Sequence, residues 1–67
     1  MTITLNGKTH EVADEITTVA QLVSSLEIGK APVLVERNGK AILAREFEME
    51  PVADGDVIEV IRMVAGG

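Results

Sequence analysis

Between residues 18 and 29 the chain reads TVAQLVSSLEIG, which is typical of a short amphipathic helix with defined ends. Thr18 and Gln21 have the spacing of a capping box, in which each side chain satisfies a backbone donor of the first helical turn. One stripe of the helix is apolar and consists of Val19, Leu22, Val23 and Leu26. Gly29 supplies a stop. The stretch therefore predicts a helix over roughly residues 18–27.

The segment before this helix predicts a β-hairpin. Ile3 and Leu5 alternate with polar residues, which is the period of a half-buried strand. Asn6-Gly7 then favours a two-residue type I′ turn, because both residues tolerate a positive φ. The chain is expected to return through residues 9–12 as a second, antiparallel strand.

The segment after the helix predicts three more strands, since its apolar runs are separated by turn residues. Its last run is rich in β-branched residues, which favour strands. The predicted order is a buried strand at 33–37, a turn at Asn38-Gly39, a short strand at 40–43, an irregular segment at 44–51 with Phe47 against the core edge, a turn at 54–56 and a last strand at 57–62.

This order of elements predicts an α+β fold in which a mixed sheet of four to five strands has one main helix packed across one face. The first and last strands are expected to be parallel neighbours, because the helix brings the chain back over the sheet. The arrangement resembles the ubiquitin-like β-grasp fold over nearly the whole chain. We predict one domain at residues 1–62 and a flexible C-terminal tail at residues 63–67.

Length and composition argue against several functions. A chain of 67 residues makes one domain with a thin core, so it has little room for a catalytic cleft. We therefore expect no enzyme and assign no catalytic residue. A net charge of -5 and a single aromatic residue argue against nucleic acid, whose phosphates require a basic surface.

The absence of cysteine excludes disulfides, thiolate catalysis and thiolate metal sites, and no metal site is predicted. No apolar run is long enough to cross a bilayer, and the first residues lack the layout of a signal peptide. A cytoplasmic location is the resulting expectation.

Most charged residues are predicted to be solvated. Arg37 and Arg45 are interpreted as isolated surface charges, and His10 as a solvated strand residue. The acidic residues interpreted as one solvated face are Asp14, Glu15, Glu46, Glu48 and Glu50, since no pocket is expected that would change the pKa of one of them.

Three stretches indicate a family: VERNG at residues 35–39, DGDVIE at residues 54–59, and MVAGG at residues 63–67. Together with the chain length and the order of elements, they resemble the ThiS-like sulfur carriers of thiamine thiazole synthesis. A terminal Gly-Gly is a weak signal alone, but in combination with this fold it becomes specific.

The resemblance implies a chemical cycle at the carboxylate of Gly67. In that family a ThiF-like adenylating enzyme activates the carboxylate with ATP, and sulfur from a persulfide donor then replaces AMP. The resulting thiocarboxylate passes its sulfur to a ThiG-like thiazole synthase. Gly67 is thus the expected sulfur acceptor, and no cofactor is expected to remain bound. The residues expected to lead it into a partner's active site are Gly66, Ala65 and Val64.

The chemistry of the residues is consistent with this cycle. An α-carboxylate is ionised at neutral pH and can attack phosphorus. Two glycines add no side chain to a narrow channel and allow backbone conformations that other residues avoid. Because the chain has no cysteine, it has no side chain that could hold sulfur as a persulfide.

A docking surface is predicted beside the tail. If Ile58 and Val60 face the helix, the opposite face of the sheet displays Val57, Ile61, Met63 and, from a neighbouring strand, Leu34. Such a patch would suit partner binding. The reverse phase is the alternative, because a shift of one residue exchanges the two faces of a strand.

Other functions remain open on the residues alone. A carrier resembling the small subunit of molybdopterin synthase, or one that serves another pathway, would share the tail chemistry. A ubiquitin-like modifier would form isopeptide conjugates. A β-grasp binding module would have an inert tail and would keep its function after Gly66 and Gly67 are removed.

Overall fold

The computed structural model describes residues 1–29 and 31–63. The elements of this part of the chain are β1 (Thr2–Leu5), β2 (Lys8–Glu11), α1 (Val19–Ser25), β3 (Val33–Arg37), β4 (Lys40–Ile42), a short 3₁₀ helix (Ala44–Glu46) and β5 (Val57–Arg62). The predicted order is confirmed. The bounds of β3 and β5 agree with the prediction, whereas β2 begins and ends one residue early and β4 is one residue shorter.

The five strands form one sheet in the order β2-β1-β5-β3-β4. β1 and β5 are parallel neighbours at its centre, and the other pairings are antiparallel. A parallel pair needs a crossover connection, and α1 lies within the segment that provides it. The predicted mixed sheet with one main helix is therefore confirmed.

The hydrophobic core lies between α1 and one face of the sheet. Its buried members come from the helix, from four strands and from the connecting loops, and they are Ile3, Val12, Val19, Leu22, Val35, Ile42, Val52, Ile58 and Val60. Burial of each such side chain contributes about 1.5–3 kcal/mol. Phe47 is only partly buried and packs against this core, as predicted for a residue at its edge.

Both predicted Asn-Gly turns are present. Asn6 and Gly7 have φ values of 50° and 81°, and Asn38 and Gly39 have values of 52° and 82°. Two consecutive positive φ values are the requirement of a type I′ turn, whose twist matches that of the flanking strands. The two turns thereby set the register of β1 with β2 and of β3 with β4.

The helix begins as predicted and ends earlier. The Thr18 hydroxyl accepts a hydrogen bond from the Gln21 backbone N–H, and the Gln21 side chain accepts one from the Thr18 N–H, so the capping box is complete. The prediction of helix up to residue 27 is wrong, because Glu27 adopts a left-handed φ of 56°. The helix therefore ends before Gly29 is reached.

Candidate functional site

The two faces of β5 differ sharply in burial. Ile58 and Val60 are 1% and 9% exposed and pack on the helix side of the sheet. Val57 and Ile61 are 51% and 52% exposed on the opposite face, called here the outer face. Of the two phases left open for the last strand, the structure thus has the one in which Ile58 and Val60 face the helix.

Three of the four residues predicted to dock partners lie together on the outer face. Leu34 is directly opposite Ile61 across the β3–β5 pair. Met63 follows two residues after Ile61, and its backbone N–H donates to the Pro32 carbonyl at 2.9 Å, which continues the pairing past the end of β5. Leu34, Ile61 and Met63 are each about half exposed. We call these three residues the apolar cluster.

The fourth predicted docking residue, Val57, is separated from this cluster. Alternate residues of a strand share a face, so Glu59 lies between Val57 and Ile61. Glu59 is directly opposite Glu36 on β3. Since two residues of a strand span about 6.8 Å, Val57 stands about 14 Å along the strand from Ile61. The outer face therefore has an apolar end beside the tail and an acidic pair, Glu36 and Glu59, in its middle.

A cluster of paired charges, called here the arginine cluster, lies on the helix side of the sheet. Arg37 Nε donates to Asp56 Oδ2 at 2.7 Å, and Arg37 Nη1 lies 3.2 Å from Glu50 Oε2. Asp56 is buried and also accepts hydrogen bonds from the Ala53 N–H at 2.8 Å and from Asn38 Nδ2 at 3.0 Å. The cluster ties the turn before β5 to the end of β3.

Two predictions about these charges were wrong. Arg37 is not an isolated surface charge, and Glu50 is half-buried against Arg37 rather than solvated. The sequence contains one signal of this arrangement: Arg37 has the same strand phase as the buried Val35, so its side chain points to the helix side. A charge in that position requires partners, because an unpaired charge is costly to remove from water.

The pKa of Asp56 shows how its partners act on it. Burial alone would raise the pKa of this carboxyl group, but the hydrogen bonds from Arg37, Ala53 and Asn38 outweigh that effect and hold the pKa below its usual value. Asp56 in turn raises the pKa of Arg37. With its acceptor positions occupied and its charge compensated, the carboxylate of Asp56 is suited to a structural role and not to proton transfer.

Asn6 has a role beyond its turn. Its Oδ1 accepts a hydrogen bond from the Val60 N–H at 2.8 Å, and its Nδ2 donates to the Val60 carbonyl at 3.2 Å. The side-chain amide thus takes the place of the next residue of β1 and extends the pairing of β5 towards the tail. Sequence reasoning identified Asn6 only as a turn residue, because a contact across 54 positions leaves no local pattern.

Two further features of the described residues are a surface groove and His10. An open groove beside α1 is lined by Ile16, Ala20, Gln21 and Glu48, among others. His10 was predicted to be a solvated strand residue. In the structure it is half-buried and lies opposite Ile3. Within residues 1–29 and 31–63, no three potential ligands among histidine, aspartate and glutamate converge on one point, and no helix could span a membrane.

The predicted sulfur-accepting tail lies mostly outside the described residues. Gly67 and the three residues expected to lead it into a partner, Gly66, Ala65 and Val64, are all in this segment. Met63 is the last described residue, and it belongs to the apolar cluster. Of the predicted tail, residues 63–67, the structure thus describes Met63 alone, and that residue is paired with Pro32 at the apolar end of the outer face.

The sheet order, the parallel central pair and the single crossing helix define a ubiquitin-like β-grasp protein. The sequence model of the ThiS family matches residues 3–67 of the chain. The chain therefore belongs to the ThiS family, and the predicted resemblance to sulfur carriers of thiamine biosynthesis is confirmed.

Individual relatives agree with this assignment. The sulfur carrier protein ThiS of Bacillus subtilis (strain 168) is 33% identical over 63 residues, which are 94% of this chain and 96% of that protein. The crystal structure of the thiamine biosynthesis protein ThiS from Geobacter metallireducens is 35% identical, with a TM-score of 0.83 and full coverage of both chains. A solution structure of a thiamine biosynthesis protein from the same organism is 33% identical, with a TM-score of 0.80 over all of this chain and 88% of that one.

Proposed function

We propose that the chain carries sulfur for thiamine thiazole synthesis as a thiocarboxylate on Gly67. The observation that supports this most directly is that the match to the ThiS family model extends through Gly67. The match therefore includes Gly66 and Gly67, the two residues from which the thiocarboxylate chemistry was predicted. The proposal requires that Gly67 bear a free carboxylate.

The proposed reaction begins with attack of a Gly67 carboxylate oxygen on the α-phosphorus of ATP, which releases pyrophosphate and forms an acyl adenylate. A sulfur nucleophile then attacks the acyl carbon, and AMP leaves with its bonding electron pair. Hydrosulfide gives the thiocarboxylate directly, whereas a persulfide gives an acyl disulfide, whose S–S bond a thiol then reduces to release the thiocarboxylate and form a new disulfide. This activation is needed because a carboxylate oxygen is a poor leaving group, whereas AMP is a good one. ATP is consumed by a ThiF-like adenylating enzyme and is not a resident cofactor of the carrier.

The carrier acts in this scheme as a co-substrate and not as an enzyme. Its outer face docks the adenylating enzyme through the apolar cluster, and the adjacent tail enters the active site. The thiocarboxylate then donates its sulfur to a ThiG-like thiazole synthase. Because adenylation consumes ATP, the cytoplasm is the proposed compartment.

An intact-mass measurement tests the proposal. After incubation with a ThiF-like enzyme, ATP and a sulfur source, we expect a mass gain equal to the replacement of one oxygen by sulfur, located at Gly67 by fragmentation. The matched control lacks Gly66 and Gly67, and it should show no gain while its melting temperature stays within about 2 °C, as is usual when terminal residues are removed. An unchanged mass of the full chain, with an enzyme that modifies its own carrier, would contradict the proposal.

A further inference from the structure

The two faces of the sheet carry charges of opposite sign. Cross-strand partners and alternate residues share a face, so the register assigns each strand residue to one side. The charged strand residues on the helix side are Lys8, Arg37, Lys40 and Arg62, all of them basic. Those on the outer face are Glu11, Glu36 and Glu59, all of them acidic. The face beside the tail is thus apolar and acidic, without a basic strand residue.

Glu36 and Glu59 are the central members of this acidic face. They are direct partners on β3 and β5, which places their Cβ atoms about 4.5–5.5 Å apart. Within residues 1–29 and 31–63, the ion pairs join Met1 to Asp14 and Arg37 to Glu50 and Asp56, and neither Glu36 nor Glu59 belongs to one. Glu36 is flanked on the outer face of β4 by Ala41, which has no charge to offer.

This arrangement disfavours the isolated domain. Like charges directly opposite each other in an antiparallel pair are destabilising. Two adjacent carboxylates together offer more acceptor positions than an ammonium group fills, whereas a planar guanidinium group has five donors in a fixed fork. The apolar cluster begins at the next cross-strand pair, Leu34 and Ile61, so a cation bound here would be partly shielded from water.

We propose that the acidic pair is the binding site for an arginine of the adenylating enzyme, whose guanidinium group lies between Glu36 and Glu59 while neighbouring apolar side chains pack on the apolar cluster. This inference rests on the proposed function, since it uses the same docking face. In this proposal the acidic pair orients the carrier on the enzyme, because a bidentate contact fixes the direction of approach as well as the distance.

The test measures binding and stability in the same variants. In the double variant Glu36→Gln/Glu59→Gln both charges are removed and the shape is kept. We expect its Kd for a ThiF-like adenylating enzyme to rise about tenfold, which corresponds to about 1.4 kcal/mol. The salt dependence of binding should become weaker. The melting temperature of the free carrier should rise by about 2 °C, because the repulsion between the two glutamates is removed.

The matched control is Glu15→Gln/Glu48→Gln, which removes the same net charge outside the strands. It should leave both Kd and melting temperature nearly unchanged. The variant Glu59→Lys adds a further test, since it places an ammonium group opposite Glu36 within the carrier. We expect it to stabilise the free domain more than the double glutamine variant does and to weaken binding further.

The variant Ile61→Asn distinguishes two claims. One is that an arginine binds at the acidic pair, and the other is that the adenylating enzyme docks on the outer face at all. If Ile61→Asn weakens binding and Glu36→Gln/Glu59→Gln binds like its control, the arginine contact is overturned and the docking face stands. If neither variant changes the Kd, both are overturned. If the acidic pair affects only binding to the thiazole synthase, the choice of the adenylating enzyme as the partner is wrong.

Discussion

Glu36 and Arg37 are neighbours on β3, yet their side chains lie on opposite faces of the sheet and in opposite electrostatic environments. Arg37 points to the helix side and is enclosed by the carboxylates of Asp56 and Glu50. Glu36 points to the outer face and is directly opposite a second glutamate, Glu59. The charge of Arg37 is thus compensated within the domain, whereas the charge of Glu36 is repelled by the like charge of Glu59 on the partner strand.

This difference separates charges that maintain the fold from charges that remain available for binding. A buried carboxylate such as Asp56 is tolerated because several donors compensate for the loss of water. The acidic pair instead remains at the surface, where solvent reduces the repulsion and a partner can remove it. Substitutions on the helix side should therefore change stability, whereas substitutions on the outer face should change binding.

The largest expected contrast between the faces is that of Ile58→Asp and Ile61→Asp. Ile58 is almost fully buried, so a carboxylate there would be unpaired in the core and should leave the domain largely unfolded at 25 °C. Ile61 is half exposed, and its substitution should lower the free energy of unfolding by about 1 kcal/mol or less. Far-UV circular dichroism with thermal unfolding measures both, and unfolding of Ile61→Asp would refute the assignment of the outer face.

The second contrast concerns two carboxylates that flank Gly55. Asp56→Asn removes the nearer of the two charges that compensate Arg37, and we expect a loss of about 2 kcal/mol in the free energy of unfolding, because the charge-assisted hydrogen bonds to a buried carboxylate are lost while Glu50 remains beside Arg37. Asp54→Asn is the control. Asp54 is exposed, and the hydrogen bond it accepts from the Thr2 N–H can be accepted equally by an amide oxygen. Equal melting temperatures of the two variants would contradict a structural role for Asp56.

Local signals in the sequence predicted the elements of the fold. The two Asn-Gly turns and the Thr18–Gln21 capping box specify backbone conformations within a few residues, and all three are present. The alternation in β5 divided its residues into two sets, but the structure was needed to show that the set with Ile58 and Val60 is the buried one. The end of the helix was predicted too late, because Glu27 adopts a left-handed conformation that its residue type does not favour.

Long-range contacts of charged side chains were the part that sequence reasoning missed. Arg37 meets Glu50 and Asp56 only after β3 and β5 have paired, and each of these residues looks like an ordinary surface charge in the sequence. The opposition of Glu36 and Glu59 likewise requires the exact register of two strands. The site prediction at Gly67 arose in a different way, from resemblance to a family, and its test is the mass measurement.

The third expected effect is a dependence of stability on pH. Because the pKa of Asp56 is lower in the folded protein than in the unfolded chain, this carboxylate stabilises the fold fully above the usual carboxyl pKa of about 3.9. That contribution is lost as the pH falls through the lower folded pKa. Urea unfolding between pH 7 and pH 2.5 should thus show a larger loss of stability in the unmodified chain than in Asp56→Asn, and parallel curves would assign acid sensitivity to other groups.

The smallest effect is expected at the edge of the arginine cluster. Glu50→Gln removes one partner of Arg37 but leaves the shorter contact to Asp56 intact, so we expect a loss of about 0.5 kcal/mol, typical of a solvent-accessible ion pair. The same substitution in the Asp56→Asn background should cost more, because Glu50 is then the remaining carboxylate beside Arg37. A double-mutant cycle measures this coupling. Strict additivity would mean that the two carboxylates act independently and that Arg37 does not join them into one cluster.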